Sequence, residues 1–175
     1  MARALVLTVI GEDRPGLVEA LADLVASHEG SWDESRMARL AGHFAGVVQI
    51  HLPDARADDL IEALPGLAAR GLSASVVDSD WSLATVDHRR SIRFELVGQD
   101  RPGIVREISS ALAALGVSVQ DLRTSVESAP MTGEPLFRAE AELAPPEDVD
   151  LDRIRDALER LADELMVDVN LEALD

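Results

Sequence analysis

Apolar and polar residues alternate along "ALVLTVI" (Ala4–Ile10) and again along "SIRFELV" (Ser91–Val97). Both stretches are rich in β-branched residues, so each predicts a half-buried strand. A short polar loop follows each one, and the period then lengthens to that of a helix. Leu17, Leu21, Leu24, Val25 and His28 fall on one face in the first half, and Ile104, Ile108, Ala111, Leu112 and Leu115 in the second. Gly30 and Gly116 are expected to mark the two helix ends, where a residue without Cβ fits best.

Alternation then returns. "SWDESRMARL" and "HFAGVVQIHL" predict two strands joined by a turn at Gly42, while "VSVQDLRTSV" and "LFRAEAEL" predict two joined by the longer "ESAPMTGEP". A second helix is expected in each half, from Asp58 to about Arg70 and from Asp150 to Leu165. Pro65 makes the first of these irregular, because proline lacks the N–H that a helix interior needs. "LSASVVDS" and "MVDVNLEA" close the two halves as strands. The order β-α-β-β-α-β, twice, predicts an α+β fold of two ferredoxin-like domains, each a four-stranded antiparallel sheet with two helices on one face. The expected division is 1–80, a linker at 81–90, and 91–175.

Composition narrows the function classes. Of the 175 residues 47% are hydrophobic but only 3% aromatic, so the core must be built from Leu, Val, Ile and Ala. The absence of cysteine excludes a disulfide framework, a thiolate metal site and a cysteine nucleophile. The net charge is −17, all 16 basic residues are arginine, and the acidity is spread over both halves. Such a surface repels phosphate backbones, so direct nucleic-acid binding is not expected. No run approaches the ~18 apolar residues of a membrane span, and no cleavable signal pattern opens the chain. The expected location is cytoplasmic.

The strongest motif is a repeat. "GEDRPGLV" begins at Gly11 and "GQDRPGIV" at Gly98, 87 positions later, each between a predicted strand and a predicted helix. Pro15 and Pro102 fit the first helical position, where a missing N–H costs nothing. Gly16 and Gly103 allow close approach of a ligand, and the amides of Leu17 and Ile104 belong to an unpaired first turn that favours an anion. Asp13 and Asp100 add a carboxylate nearby. The set suits a zwitterion, with its carboxylate at the helix start and its amino group on the aspartate. It equally suits a plain helix entry in which the aspartates are caps.

The strand, the Gly-x-Asp-Arg-Pro-Gly-[Leu/Ile]-Val loop and the helix, set in β-α-β-β-α-β, resemble the ACT domain, a regulatory module that typically senses amino acids. "WDESRMARLAGHFAGVVQIHLP" and "SAPMTGEPLFRAEAELAPP" further resemble the glycine cleavage system regulatory proteins, tandem-ACT transcriptional repressors without a DNA-binding domain of their own. The resemblance implies a small amino-acid ligand, glycine among the candidates, and a DNA-binding transcription regulator as protein partner. It implies a homodimer, and neither a cofactor nor a metal. In ACT domains the ligand lies where two modules meet, between the loop of one and the start of the second strand of the other. Carried over, that means Gly11, Asp13, Arg14, Pro15, Gly16 and Leu17 in the first loop. In the second it means Gly98, Asp100, Arg101, Pro102, Gly103 and Ile104. The strand-start candidates are Trp32, Asp33, Val119 and Gln120. The differences Glu12/Gln99 and Asp33/Gln120 imply that the two sites need not be equivalent.

Other constellations add little. His43 and His51 share a face of one strand but stand roughly 26 Å apart at ~3.3 Å per residue, too far to share a metal. His28 reads as a packed or cap-satisfied histidine, Trp32 and Trp81 as packing residues. The leading expectation is a non-enzymatic, amino-acid-responsive regulator. The alternatives are a ligand-free interaction scaffold or the regulatory module of an amino-acid metabolic enzyme.

Overall fold

The computed structural model describes residues 1–79, 90–130 and 132–174. The chain divides into two compact units, Met1–Val86 and Asp87–Asp175. The expected linker at 81–90 lies, but for Arg90, outside the described residues, as do Trp81 and His88.

In the first unit, β1 (Ala2–Glu12) leads to α1 (Leu17–Ser27), β2 (Ser31–Leu40), β3 (His43–Pro53), α2 (Asp54–Ala63), a 3-10 helix (Leu64–Arg70) and β4 (Leu72–Ser79). The strands form one antiparallel sheet in the order β2-β3-β1-β4. Alternation decides what is inside. Leu5, Leu7 and Val9 of β1 and Val48, Ile50 and Leu52 of β3 point to one face and are buried. Leu17, Leu21 and Val25 of α1 and Leu60 of α2 belong to the same core. Each fully buried Leu or Val contributes about 1.5–3 kcal/mol relative to exposure.

The second helix of this unit begins at Asp54, four residues before its expected start, with Pro53 at its N-terminal boundary in an extended conformation. It loses α-helical hydrogen bonding where Pro65 enters and continues as the 3-10 turn.

The second unit repeats the plan with β5 (Ser91–Gln99), α3 (Ile104–Ala114), β6 (Ser118–Ser128), β7 (Pro135–Ala144), α4 (Leu151–Leu165) and β8 (Val167–Leu174), in the sheet order β6-β7-β5-β8. Its core gathers Phe94, Leu96, Ile108, Leu112, Leu143, Ile154 and Leu158. Asp150 caps α4, its Oδ1 accepting the Asp152 amide at 3.2 Å. Both units are thus ferredoxin-like, and the fold is α+β as expected.

The glycines at the ends of α1 and α3 are not equivalent. Gly116 takes the left-handed conformation (φ 70), but in the first unit that position falls to Glu29 (φ 59), one residue before Gly30. Gly30 is required for space instead, since a Cβ there would press on the Val25 side chain and carbonyl.

Candidate functional site

In both units the repeated loop starts where the first strand must run against the last. A Cβ at Gly11 would strike the carbonyl oxygen of Gly71, and one at Gly98 the side chain of Val167. These two glycines are fixed by strand packing. Beyond them, Asp13 donates its amide to the Gly42 carbonyl at 2.9 Å, and Asp100 to that of Pro135 at 3.0 Å. Each loop is therefore tied to the β2–β3 or β6–β7 hairpin beside it.

The prolines do not sit at the first helical position. Pro15 and Pro102 precede Gly16 and Gly103, which adopt left-handed φ values of 91 in both units, and the helices begin only at Leu17 and Ile104. The chain reverses at Pro-Gly, a turn that only a residue without Cβ makes cheaply, and the helix starts after it. The helix-cap alternative falls too, since neither α1 nor α3 has a side-chain cap. Asp13 lies too far upstream, and its Oδ2 is instead 2.7 Å from Arg39 Nε.

The two loops share this backbone but not their side-chain partners. Strand register places Arg39 opposite Phe44 and Val126 opposite Phe137, with Phe44 and Phe137 themselves opposite Gly11 and Gly98. Val126 therefore stands where the first unit has Arg39, and the Asp100 carboxylate has no ion pair or hydrogen bond among the described residues. Arg14 lays its guanidinium over Gly71, whose missing side chain leaves the room. The matching residue in the second unit is Met166, and Arg101 bonds Glu107 instead, Nη1 to Oε1 at 3.3 Å. Where Glu107 stands, the first unit has Ala20. Leu17 and Ile104 have buried side chains and pin the helix starts to the core. The carboxylates of Glu19 and Glu107 approach Gly16 and Gly103, so each helix start already faces an acidic group.

The strand-start candidates occupy β-bulges. The register shifts between Trp32 and Glu34 in β2, and between Val119 and Asp121 in β6, which leaves Asp33 and Gln120 outside the ladders. Ser31 pairs with His51, whereas Glu12 pairs with His43 at the other end of β3. Within one unit the loop and the strand start therefore lie at opposite ends of the sheet, roughly 26 Å apart. Gly11, Asp13, Arg14, Pro15, Gly16 and Leu17 form one cluster and Trp32 and Asp33 another, and the second unit divides in the same way.

Asp33 carries an interaction absent from the sequence reading. Its side chain is 7% exposed and its Oδ1 lies 2.6 Å from His51 Nδ1. An ionised carboxylate only accepts, so the His51 Nδ1–H is the donor. Its Oδ2 is buried without a hydrogen-bond partner. The second unit has Gln120 and Ala144 at these positions. His28 is cap-satisfied, its Nδ1 lying 2.8 Å from the Leu24 carbonyl oxygen.

The ACT domain model matches residues 3–77 and 94–172. The chain belongs to the ACT domain family. ACT domains are regulatory modules, and the two here account for both compact units. A protein of unknown function from Galdieria sulphuraria shares the fold over 100% of both chains, with 28% identity and a TM-score of 0.85. A structure described as a candidate glycine cleavage system transcriptional repressor matches 100% of this chain and 99% of its own, with 17% identity and a TM-score of 0.77. At that identity it attests the tandem ACT fold alone. No curated protein matches the chain in sequence. Among the described residues, no ACT-domain helix is long and apolar enough to cross a membrane.

Proposed function

We propose that this tandem ACT protein is a non-enzymatic, cytoplasmic regulator that responds to an amino acid and controls glycine cleavage genes through a DNA-binding protein partner. The observation that carries this reading is the duplicated loop. Two ACT units place the same Asp-Arg-Pro-Gly turn, with the same left-handed glycine, at the start of a helix. In the second unit the loop carboxylate of Asp100 stands without a partner among the described residues. Loop and strand start cannot meet within one unit, so a ligand touching both needs two modules side by side. Pairing with a second copy of the chain, in a homodimer, would provide that. The net charge of −17 supports action through a protein rather than on DNA directly.

Isothermal titration with glycine, L-serine and L-alanine tests the sensor claim, and binding at millimolar affinity or better is expected. A pull-down from cells that express the glycine cleavage genes tests the partner claim, with a DNA-binding regulator as the expected catch. Failure of all three titrations leaves the second reading, a ligand-free ACT scaffold. One observation favours that reading: Asp13 is already engaged by Arg39.

A further inference from the structure

We infer that the open face of the first sheet is the contact surface for a second copy of this chain, stacked sheet to sheet about a two-fold axis. The contact is separate from the side-by-side pairing of loop and strand start invoked above, and it needs no ligand. Outward positions alternate with buried ones, so every second residue from Ala4 to Ile10, Ala45 to Gln49 and Ser73 to Ser79 points to this face. None of them is ionisable, although 28% of the chain is charged. Ile10, Val47 and Val77 stand exposed there. The matching positions of the second sheet hold Arg93, Glu95, Arg138, Glu140, Glu142 and Glu172. The same sheet plan therefore accepts charges on this side, and the first unit has none on these three strands.

Charge selects the occupant. Each copy carries −17, so two copies repel each other over most approaches. A neutral face is where two such chains touch without burying unpaired carboxylates. An acidic partner surface would lose hydration on it and gain no counter-charge. The edge strand adds one acid and one base, Glu34 and Arg36, on successive outward positions opposite Gln49 and Val47. A two-fold axis that crosses the strands between these rungs lays Glu34 of each copy against Arg36 of the other. The face is thereby complementary to itself. A hollow of about 190 Å³ beside Glu34, Arg36, Val47 and Val6 gives the apolar stem of the facing arginine room to settle. Four strands at ~4.8 Å and a rise of ~3.3 Å per residue from Ala4 to Ile10 make a patch of roughly 20 by 20 Å. Stacking two such patches buries on the order of 1,000 Å², the low end of specific interfaces, so association is expected at micromolar concentration.

Sedimentation equilibrium of the full chain across the micromolar range tests the contact, and a reversible dimer is expected. Val47→Glu and Thr8→Glu copy what the second sheet already holds at Glu140 and Glu95, so the fold accommodates them. Each enters the contact twice, and each is expected to weaken dimerisation at least about tenfold. Glu140→Gln, on the second sheet, leaves it unchanged. The edge pair tests the axis. Glu34→Arg and Arg36→Glu each weaken the homodimer, the double exchange restores it, and the two single variants pair with each other when mixed. Circular dichroism guards against a trivial loss of fold, and should Val47→Glu unfold, the Glu34 and Arg36 set decides the matter. A wild-type chain that stays monomeric at its highest soluble concentration, or a dimer indifferent to Val47→Glu and Thr8→Glu, overturns the inference. A double exchange that fails to restore the dimer overturns the two-fold register. The titrations above test the sensor reading independently of all these results.

Discussion

The two ACT units superpose in plan, yet their open sheet faces are unlike. In the first sheet the uncovered side presents Val6, Ile10, Val47 and Val77, of which the last three are 52%, 47% and 63% exposed, with Glu34 and Arg36 on its edge strand where the second sheet has Asp121 and Arg123. In the second sheet the same side presents Arg93, Glu95, Asp121, Arg123, Glu140 and Glu142 around a cleft of about 320 Å³. The inward faces differ far less, since both are lined by Leu, Ile, Val and Phe or Ala. Packing against helices constrains the buried side of a sheet, and duplication preserves what packing demands. Away from the core the units differ on the central strands of the open faces, in the partners of the loop arginines and at the bulges, while the Asp-Arg-Pro-Gly turn and the edge-strand pairs Glu34–Arg36 and Asp121–Arg123 are kept.

Three experiments sharpen this comparison. The largest effect is expected at the paired glycines. Gly11→Ala drives a Cβ into the backbone oxygen of Gly71, which cannot yield, and should cost about 3 kcal/mol; Gly98→Ala meets Val167 Cγ1, which can turn aside, but also Val167 Cβ, which moves only with its backbone, and should cost somewhat less, about 2 kcal/mol. Urea unfolding can separate the two, because Trp32 packs against the first core and reports on that unit, while circular dichroism reports on both. Equal losses would mean that the two close strand approaches are equally rigid.

A smaller effect of opposite sign is expected at the helix ends. Gly116→Ala forces a side chain into the left-handed region and should destabilise the second unit by about 1 kcal/mol. Glu29→Gly relieves the same strain in the first unit but removes the exposed 3.0 Å pair with Arg56, so a net gain of up to about 0.5 kcal/mol is expected. Thermal melts of the two variants should therefore move in opposite directions.

The smallest effect is one of acid. Arg3 donates to Asp78 at 2.6 Å and holds that carboxyl below its ordinary range. A depressed carboxyl stabilises the fold above its unfolded pKa, about 3.9, and that contribution fades as pH falls through the lower folded value. Arg90, at the position of Arg3, bonds the carbonyls of Glu147 and Val149 instead, and the second unit has Ala173 where Asp78 stands. Asp78→Asn should flatten the acid limb of the first unit slightly and leave that of the second unchanged.

Most of the fold was legible because its determinants are periodic. Val9 and Leu96 sit inward by alternation, and Leu21 and Ile108 by helical spacing. Pro65 announced the irregular second helix by the N–H it lacks. The bulges were not legible. Trp32 and Met37 both pack against the core although their separation is odd, which simple alternation forbids and one extra residue at Asp33 permits. The site suffered for the same reason. His51 reads as one more residue on a strand, and only the register that sets Ser31 across from it brings Asp33 within reach. The Asp13–Arg39 pair likewise depends on which rung of the β2–β3 ladder lies beside the loop, and no local motif encodes that.

The hydrogen bond from the Asp13 amide to the Gly42 carbonyl makes the loop and the hairpin tip one connected piece of backbone. The turn is thereby joined to the hairpin tip, and the β2–β3 ladder runs from there to the bulge at its far end. In the first unit the tip is a two-residue turn, Ala41 and Gly42, both left-handed. In the second, the Asp100 amide is tied to Pro135, the first residue of β7, rather than to a turn residue. The two loops are thus anchored at different points of their hairpins.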